Sequence, residues 1–110
     1  MAQVKGMKIT VKKSGSPDVE TYALYMQKSP QPVDYQSERF DLTGLYVEEG
    51  DNIVFDMTDI SDMTTKDGTY NIGIVAIDDA GNESSMSVAN NIQFDFIAPD
   101  PPGAIIVERL

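Results

Sequence analysis

DGTYNIGIVAIDDAGNES, residues 67–84, changes character half-way along. From Tyr70 the apolar side chains recur at every second position, through Ile72 and Ile74 to Ala76. That is the period of a strand whose alternate side chains share one face. The second half, Asp78-Asp79-Ala80-Gly81-Asn82-Glu83, gathers residues that bond their own backbone or accept positive φ, as turns require. The stretch therefore reads as a half-buried strand entering a turn. What it leaves open is whether the acids of that turn also hold a ligand.

The same period runs through the rest of the chain. Met7, Ile9 and Val11 share a face in MKITVKK, and Tyr22, Leu24 and Met26 in VETYALYMQ. Ile53, Phe55 and Met57 alternate in DNIVFDMTD, and Ile92, Phe94 and Phe96 in NIQFDF. Turn formers separate these runs, at SGSPD, KSPQP, EEGD, KDG, DDAGN and APDPPG. The best helical segment, DISDMTTKD (59–67), is long enough for a turn or two. Short strands with turns between them and no helix predict an all-β antiparallel sandwich of about seven strands.

Composition narrows the function. At 110 residues the chain is one domain, 1–97, large enough for a core without staples. Eight basic and eighteen acidic residues give a net charge of −10, which repels phosphate backbones and anionic lipid. Neither nucleic acid nor membrane insertion is expected, and MAQVKGMKIT lacks the apolar core of a signal peptide. The chain has no cysteine and no histidine, so thiolate sites, imidazole ligands and histidine general bases are unavailable. A serine nucleophile needs a base beside it, and Ser84, Ser85 and Ser87 read instead as turn and outward strand positions. No catalytic residue, cofactor or metal is therefore assigned.

Two acidic groups are candidate sites. Asp78, Asp79, Asn82 and Glu83, joined by Asp67 or Asp95, offer the oxygen ligands that calcium takes. They lack the spaced register of a calcium loop, and the turn reading is preferred. Asp56, Asp59, Asp62 and Asp67 surround the DISDM loop and read as a solvated face. Asn82-Glu83-Ser84 matches a glycosylation sequon, a pattern common by chance. Tyr25, Tyr35 and Tyr46 fall on outward or loop positions, where aromatic rings can stack on a sugar or anchor a protein.

The composition shifts again after residue 97. IAPDPPG carries three prolines in seven residues, as an extended connector does. It leads into AIIVERL, whose Ala104, Ile105, Ile106 and Val107 favour a strand. Residues 98–110 are thus a Pro-rich junction plus a short strand, either an edge of this sandwich or the start of a following module.

GTYNIGIVAIDDAGNES resembles the penultimate strand and turn of fibronectin type III and bacterial immunoglobulin-like modules. SPDVETYALYM is similar to their third strand, and FDFIAPDPPGAI to a last strand entering an inter-module junction. The resemblance implies an immunoglobulin-like topology in which Tyr70 is the corner tyrosine, its hydroxyl bonding back to nearby upstream backbone. It departs from the family in having no tryptophan in its second strand and little chain before Lys8 for a first one. It implies a non-catalytic adhesion or spacer module of a larger bacterial surface or secreted protein, monomeric and extracellular, with neighbouring domains as partners. A protein or carbohydrate ligand fits the same resemblance, as in the accessory modules of polysaccharide-active enzymes, and so does a calcium-stabilised adhesin repeat.

Overall fold

The computed structural model describes residues 5–110; the first four residues of MAQVKGMKIT lie outside them. Seven strands follow one another: β1 (Lys8–Lys12), β2 (Val19–Lys28), β3 (Glu38–Asp41), β4 (Tyr46–Glu49), β5 (Asn52–Asp56), β6 (Asp67–Asp78) and β7 (Ser87–Asp95). They build two antiparallel sheets, ordered β1-β5-β4 and β3-β2-β6-β7. That order is the one an immunoglobulin-like sandwich uses, with β1 lacking a neighbour on its outer edge among the described residues.

The core follows the alternation. Tyr22, Leu24 and Met26 of β2 are buried with Ile72, Ile74 and Ala76 of β6, Ile53 and Phe55 of β5, and Phe94 of β7. Met7, Ile9, Val11, Tyr70 and Ile92 pack half-buried against them. The two sheets meet through these side chains, as a sandwich with one apolar face per sheet must.

Two strands escaped the period. β3 and β4 are four residues each and give the core only Phe40 and Tyr46. β4 returns into β5 through Gly50-Asp51, with Gly50 at φ 59° as the first residue of a two-residue loop. The segment expected to be most helical, 59–67, holds one 3₁₀ turn, Met63–Thr65, and follows another, Met57–Asp59, that ends on its first residue. The two bury Met57 and Met63 beneath the sandwich. These turns join the Asp56 end of β5 to the Asp67 end of β6. Lys8 pairs with Asp56 and Asp95 with Asp67, so β1 begins and β7 ends at the same end of the molecule.

After β7 only Phe96 stays buried. Residues 97–110 form no strand, and Ile105, Ile106 and Val107 stand in solvent. The projecting run gives the chain a radius of gyration of 18.1 Å and a long dimension of 72 Å, against about 13 Å of radius for a compact chain of this size.

Candidate functional site

The acidic turn lies at the end of the sandwich opposite the 3₁₀ turns. Its geometry is closed by its own backbone. The Asp78 carboxylate accepts N–H bonds from Ala80 (3.0 Å) and Asn82 (2.8 Å), and a third from Asn82 Nδ2 (3.1 Å). The Asp78 N–H donates to the Asn82 carbonyl at 3.0 Å, and Gly81 N–H to the Asp78 carbonyl at 3.1 Å. Gly81 sits at φ 87°, the left-handed conformation that only glycine adopts freely. The donated bonds, the Asn82 backbone N–H first, hold the Asp78 carboxyl below its ordinary range.

Its neighbours are occupied in other directions. Glu83 accepts a hydrogen bond from the Tyr25 hydroxyl. Ser84 Oγ accepts the Ala76 N–H at 2.9 Å and donates to the Ser85 carbonyl at 2.8 Å, which ties the turn to β6. Asp79 is exposed. Asp67 and Asp95, considered as further ligands, pair with each other at the far end of β6. Eleven strand steps at about 3.3 Å put them roughly 36 Å from Asp78, so they cannot share a site with it. Among the described residues no group of three or more carboxylates is gathered as metal ligands.

In the other acidic group Asp59, Asp62 and Asp67 are exposed, and Asp56 has a local role. Asp56 is half-exposed and caps the first 3₁₀ turn, accepting from Thr58 N (2.9 Å), Thr58 Oγ1 (2.7 Å) and Met7 N (3.1 Å). Asp41 does the same for Thr43, at 2.9 and 2.7 Å. In both, the threonine hydroxyl is the largest influence lowering the carboxyl's pKa, with the threonine N–H next.

The acidic turn lines one shallow depression of about 160 Å³ through Asp78, Asn82 and Glu83, and two larger polar ones lie along the neighbouring strands. One of about 330 Å³ is lined by Lys13, Ser14, Tyr22, Ala76, Ser84 and Ser87 among others, and one of about 350 Å³ by Ser16, Glu20, Tyr46 and Glu48 among others. The Ser14, Ser84 and Tyr22 hydroxyls among them are held by local bonds. Ser16 N–H donates to Ser14 Oγ, and Ser14 N–H to the Tyr22 hydroxyl, both at 3.2 Å. Of the two lysines lining the first depression, Lys12 and Lys13, Lys13 pairs with Glu48 at 3.3 Å.

The tyrosines correct two expectations. Tyr25 alternates outward on β2 yet is buried, because the 29–37 loop and residues 84–86 fold over the outer face of the four-stranded sheet. There Tyr25, Ala23 and Val75 form a second apolar cluster with Val33, Ile77 and Met86. Gly73 makes room for it, since a Cβ there would fall on the Met86 thioether. Burial foremost, and the Glu83 bond next, raise the Tyr25 pKa. Tyr70 is half-buried against Phe94, ring centroids 5.1 Å apart, and makes no hydroxyl hydrogen bond among the described residues. No buried polar side-chain atom lacks a partner there, so the Tyr70 hydroxyl reaches water and needs no corner bond. The tyrosine that does take an upstream backbone N–H is Tyr22, from Ser14.

Sequence reasoning missed Asn71 altogether. It is the one buried polar residue among those described. Its Nδ2 donates to the Gln31 carbonyl at 2.7 Å, and its Oδ1 accepts the Asn91 N–H at 2.9 Å. Asn91, at φ 59°, lies where the β6–β7 register slips. One amide thus anchors the covering loop and satisfies the bulge. A polar residue inside an alternating strand reads as outward, so the sequence carried no signal for this role.

No family model matches the chain, and no curated protein or solved structure is significantly similar to it. No helix among the described residues is long and apolar enough to cross a membrane.

Proposed function

We propose that the chain is a non-catalytic spacer or adhesion module of a larger bacterial surface or secreted protein, of the kind that fibronectin type III and bacterial immunoglobulin-like modules represent. The observation that carries this reading is the run 97–110. It leaves the last strand of the sandwich through three prolines and holds Ile105, Ile106 and Val107 in solvent. Exposed apolar strand-formers at the end of a rigid connector belong with a second body. The polar end supports the same reading, because Asp78 closes its own turn and Glu83 is taken by Tyr25.

A carbohydrate-binding accessory module would present a row of exposed rings on one sheet face. Here Tyr25 is covered, Tyr46 stands edge-on to Tyr22 at 5.3 Å, and Tyr35 is half-exposed but hydrogen-bonded to the Ser84 carbonyl. The spacer reading is accordingly preferred. Two measurements test it. Sequencing the intact polypeptide is expected to show further modules of this pattern, and a catalytic neighbour would move the chain to the accessory class. A glycan array is expected to stay blank. Binding that Tyr35→Ala abolishes would overturn the spacer reading.

A further inference from the structure

The sandwich is open along one side. Between β1 and β7, the free edges of the two sheets, runs an apolar groove of about 140 Å³. Ile9 and Val11 of β1 line it with Ile72 and Ile74 of β6 and Val88 and Ala89 of β7. Ile72 and Ile74 belong to the core, so the groove is a seam in the core itself. Along it the outer edge of β1 presents backbone N–H and C=O groups to no strand among the described residues.

The same molecule carries a segment of matching chemistry. Ile105, Ile106 and Val107 are 90, 82 and 84% exposed, in a strand-forming run about as long as β1. As a strand, the apolar run Ala104–Val107 puts Ile105 and Val107 on one face, with Arg109 beyond them at its end. With Ile105 and Val107 turned inward beside Ile9 and Val11, Ile106 and Glu108 share the outer face with Lys8, Thr10 and Lys12. Glu108 then faces the lysine edge of an otherwise acidic protein, a pairing of opposite charge. The run projects from its own body, in a chain whose long dimension is 72 Å, and lies outside its own groove.

We propose that the β1–β7 groove docks the 104–110 strand of a second copy of this sandwich, adding a strand to the free edge of β1 and closing the seam. Each copy then offers one strand and one groove, so copies can exchange strands as a pair or associate head-to-tail, as the rotation between them dictates. This deepens the spacer reading by naming the second body as another such sandwich, and replaces the expectation of a monomer.

The absence of cysteine from the chain makes a direct test possible. A Thr10→Cys chain and an Ile106→Cys chain, mixed under mild oxidation, are expected to form a mixed disulfide dimer well above the yield of an Asp51→Cys control with Ile106→Cys. Asp51 lies in the β4–β5 hairpin loop, away from the groove. In sedimentation the full chain is expected to associate between roughly 10 µM and 1 mM, the range of a small strand-addition interface. Ile105→Asp with Val107→Asp should weaken that association at least tenfold, and Ile106→Asp less. A chain that stays monomeric and gives no mixed disulfide overturns the docking, while the spacer reading stands or falls separately on the intact polypeptide. A double Thr10→Cys/Ile106→Cys chain that closes on itself at high dilution overturns the second copy in favour of its own tail.

Discussion

The four-stranded sheet has two buried faces, and they are buried in different ways. The inner face, with Leu24, Met26, Ile74 and Phe94, packs against the other sheet through side chains that recur at every second position. The outer face, with Ala23, Tyr25 and Val75, is covered by the 29–37 loop and by Met86, which reach it from elsewhere in the chain. The first kind of burial is written in a strand's own period. The second depends on contacts far apart in sequence, held by a handful of hydrogen bonds. If that contrast is sound, the inner face should lose much when one side chain is cut, and the outer face should fail locally when its ties are cut.

The largest effect is expected on the inner face. Phe94 is fully buried and meets Tyr70 and Phe96 with ring centroids at 5.1 and 5.6 Å. Phe94→Ala should cost about 3–5 kcal/mol in urea unfolding, from lost transfer energy plus the cavity left behind. A cost below about 1 kcal/mol would mean that the inner face is not a tightly packed core.

Asn71→Ala attacks the tie between the faces. It removes the two hydrogen bonds of a buried amide, to the Gln31 carbonyl and the Asn91 N–H, at about 0.5–1.5 kcal/mol each. The signature is local. Hydrogen exchange should quicken at Asn91 and through the 29–37 loop while β5 keeps its protection. Uniform acceleration over both sheets would show that the loop is not a separate unit.

These two faces also mark what could be read in advance. The inner positions of β1, β2, β5, β6 and β7 were legible because five separate runs carried one period. β3 and β4 were not, since four residues with one inward ring each cannot establish a period. The cover over Tyr25 was illegible for a deeper reason. Burial beneath a loop leaves no repeat in either partner, and Ala23 and Tyr25 look the same on a wet face as on a covered one. The acidic turn was readable as a turn because Asp, Gly and Asn stood at turn spacing. That Glu83 would reach back to Tyr25 was not, because the bond spans 58 positions.

A smaller effect is expected at that bond. Tyr25→Phe keeps the ring against Tyr35 and Arg39 but removes the hydroxyl that donates to Glu83. The loss should be about 1 kcal/mol. The Tyr25→Phe/Asn71→Ala double variant tests whether the cover is one unit, since independent ties add and a shared loop makes the second cut cheaper.

The smallest effects per residue belong to Asp41, Asp56 and Asp78, at three separate turns. Their carboxyls are lowered in the folded protein by the N–H and O–H groups they accept. A carboxyl whose folded pKa lies below its unfolded value stabilises the fold above that unfolded value, near 3.9. The stabilisation is lost as pH falls further through the folded pKa. Melting temperature should therefore hold level from neutral pH to about pH 5 and then decline with acid. Asp41→Asn, Asp56→Asn and Asp78→Asn should each lower the neutral plateau slightly and flatten the acid limb. Because these acids cap turns and line neither buried face, acid should loosen both faces together, whereas Asn71→Ala releases only the outer one.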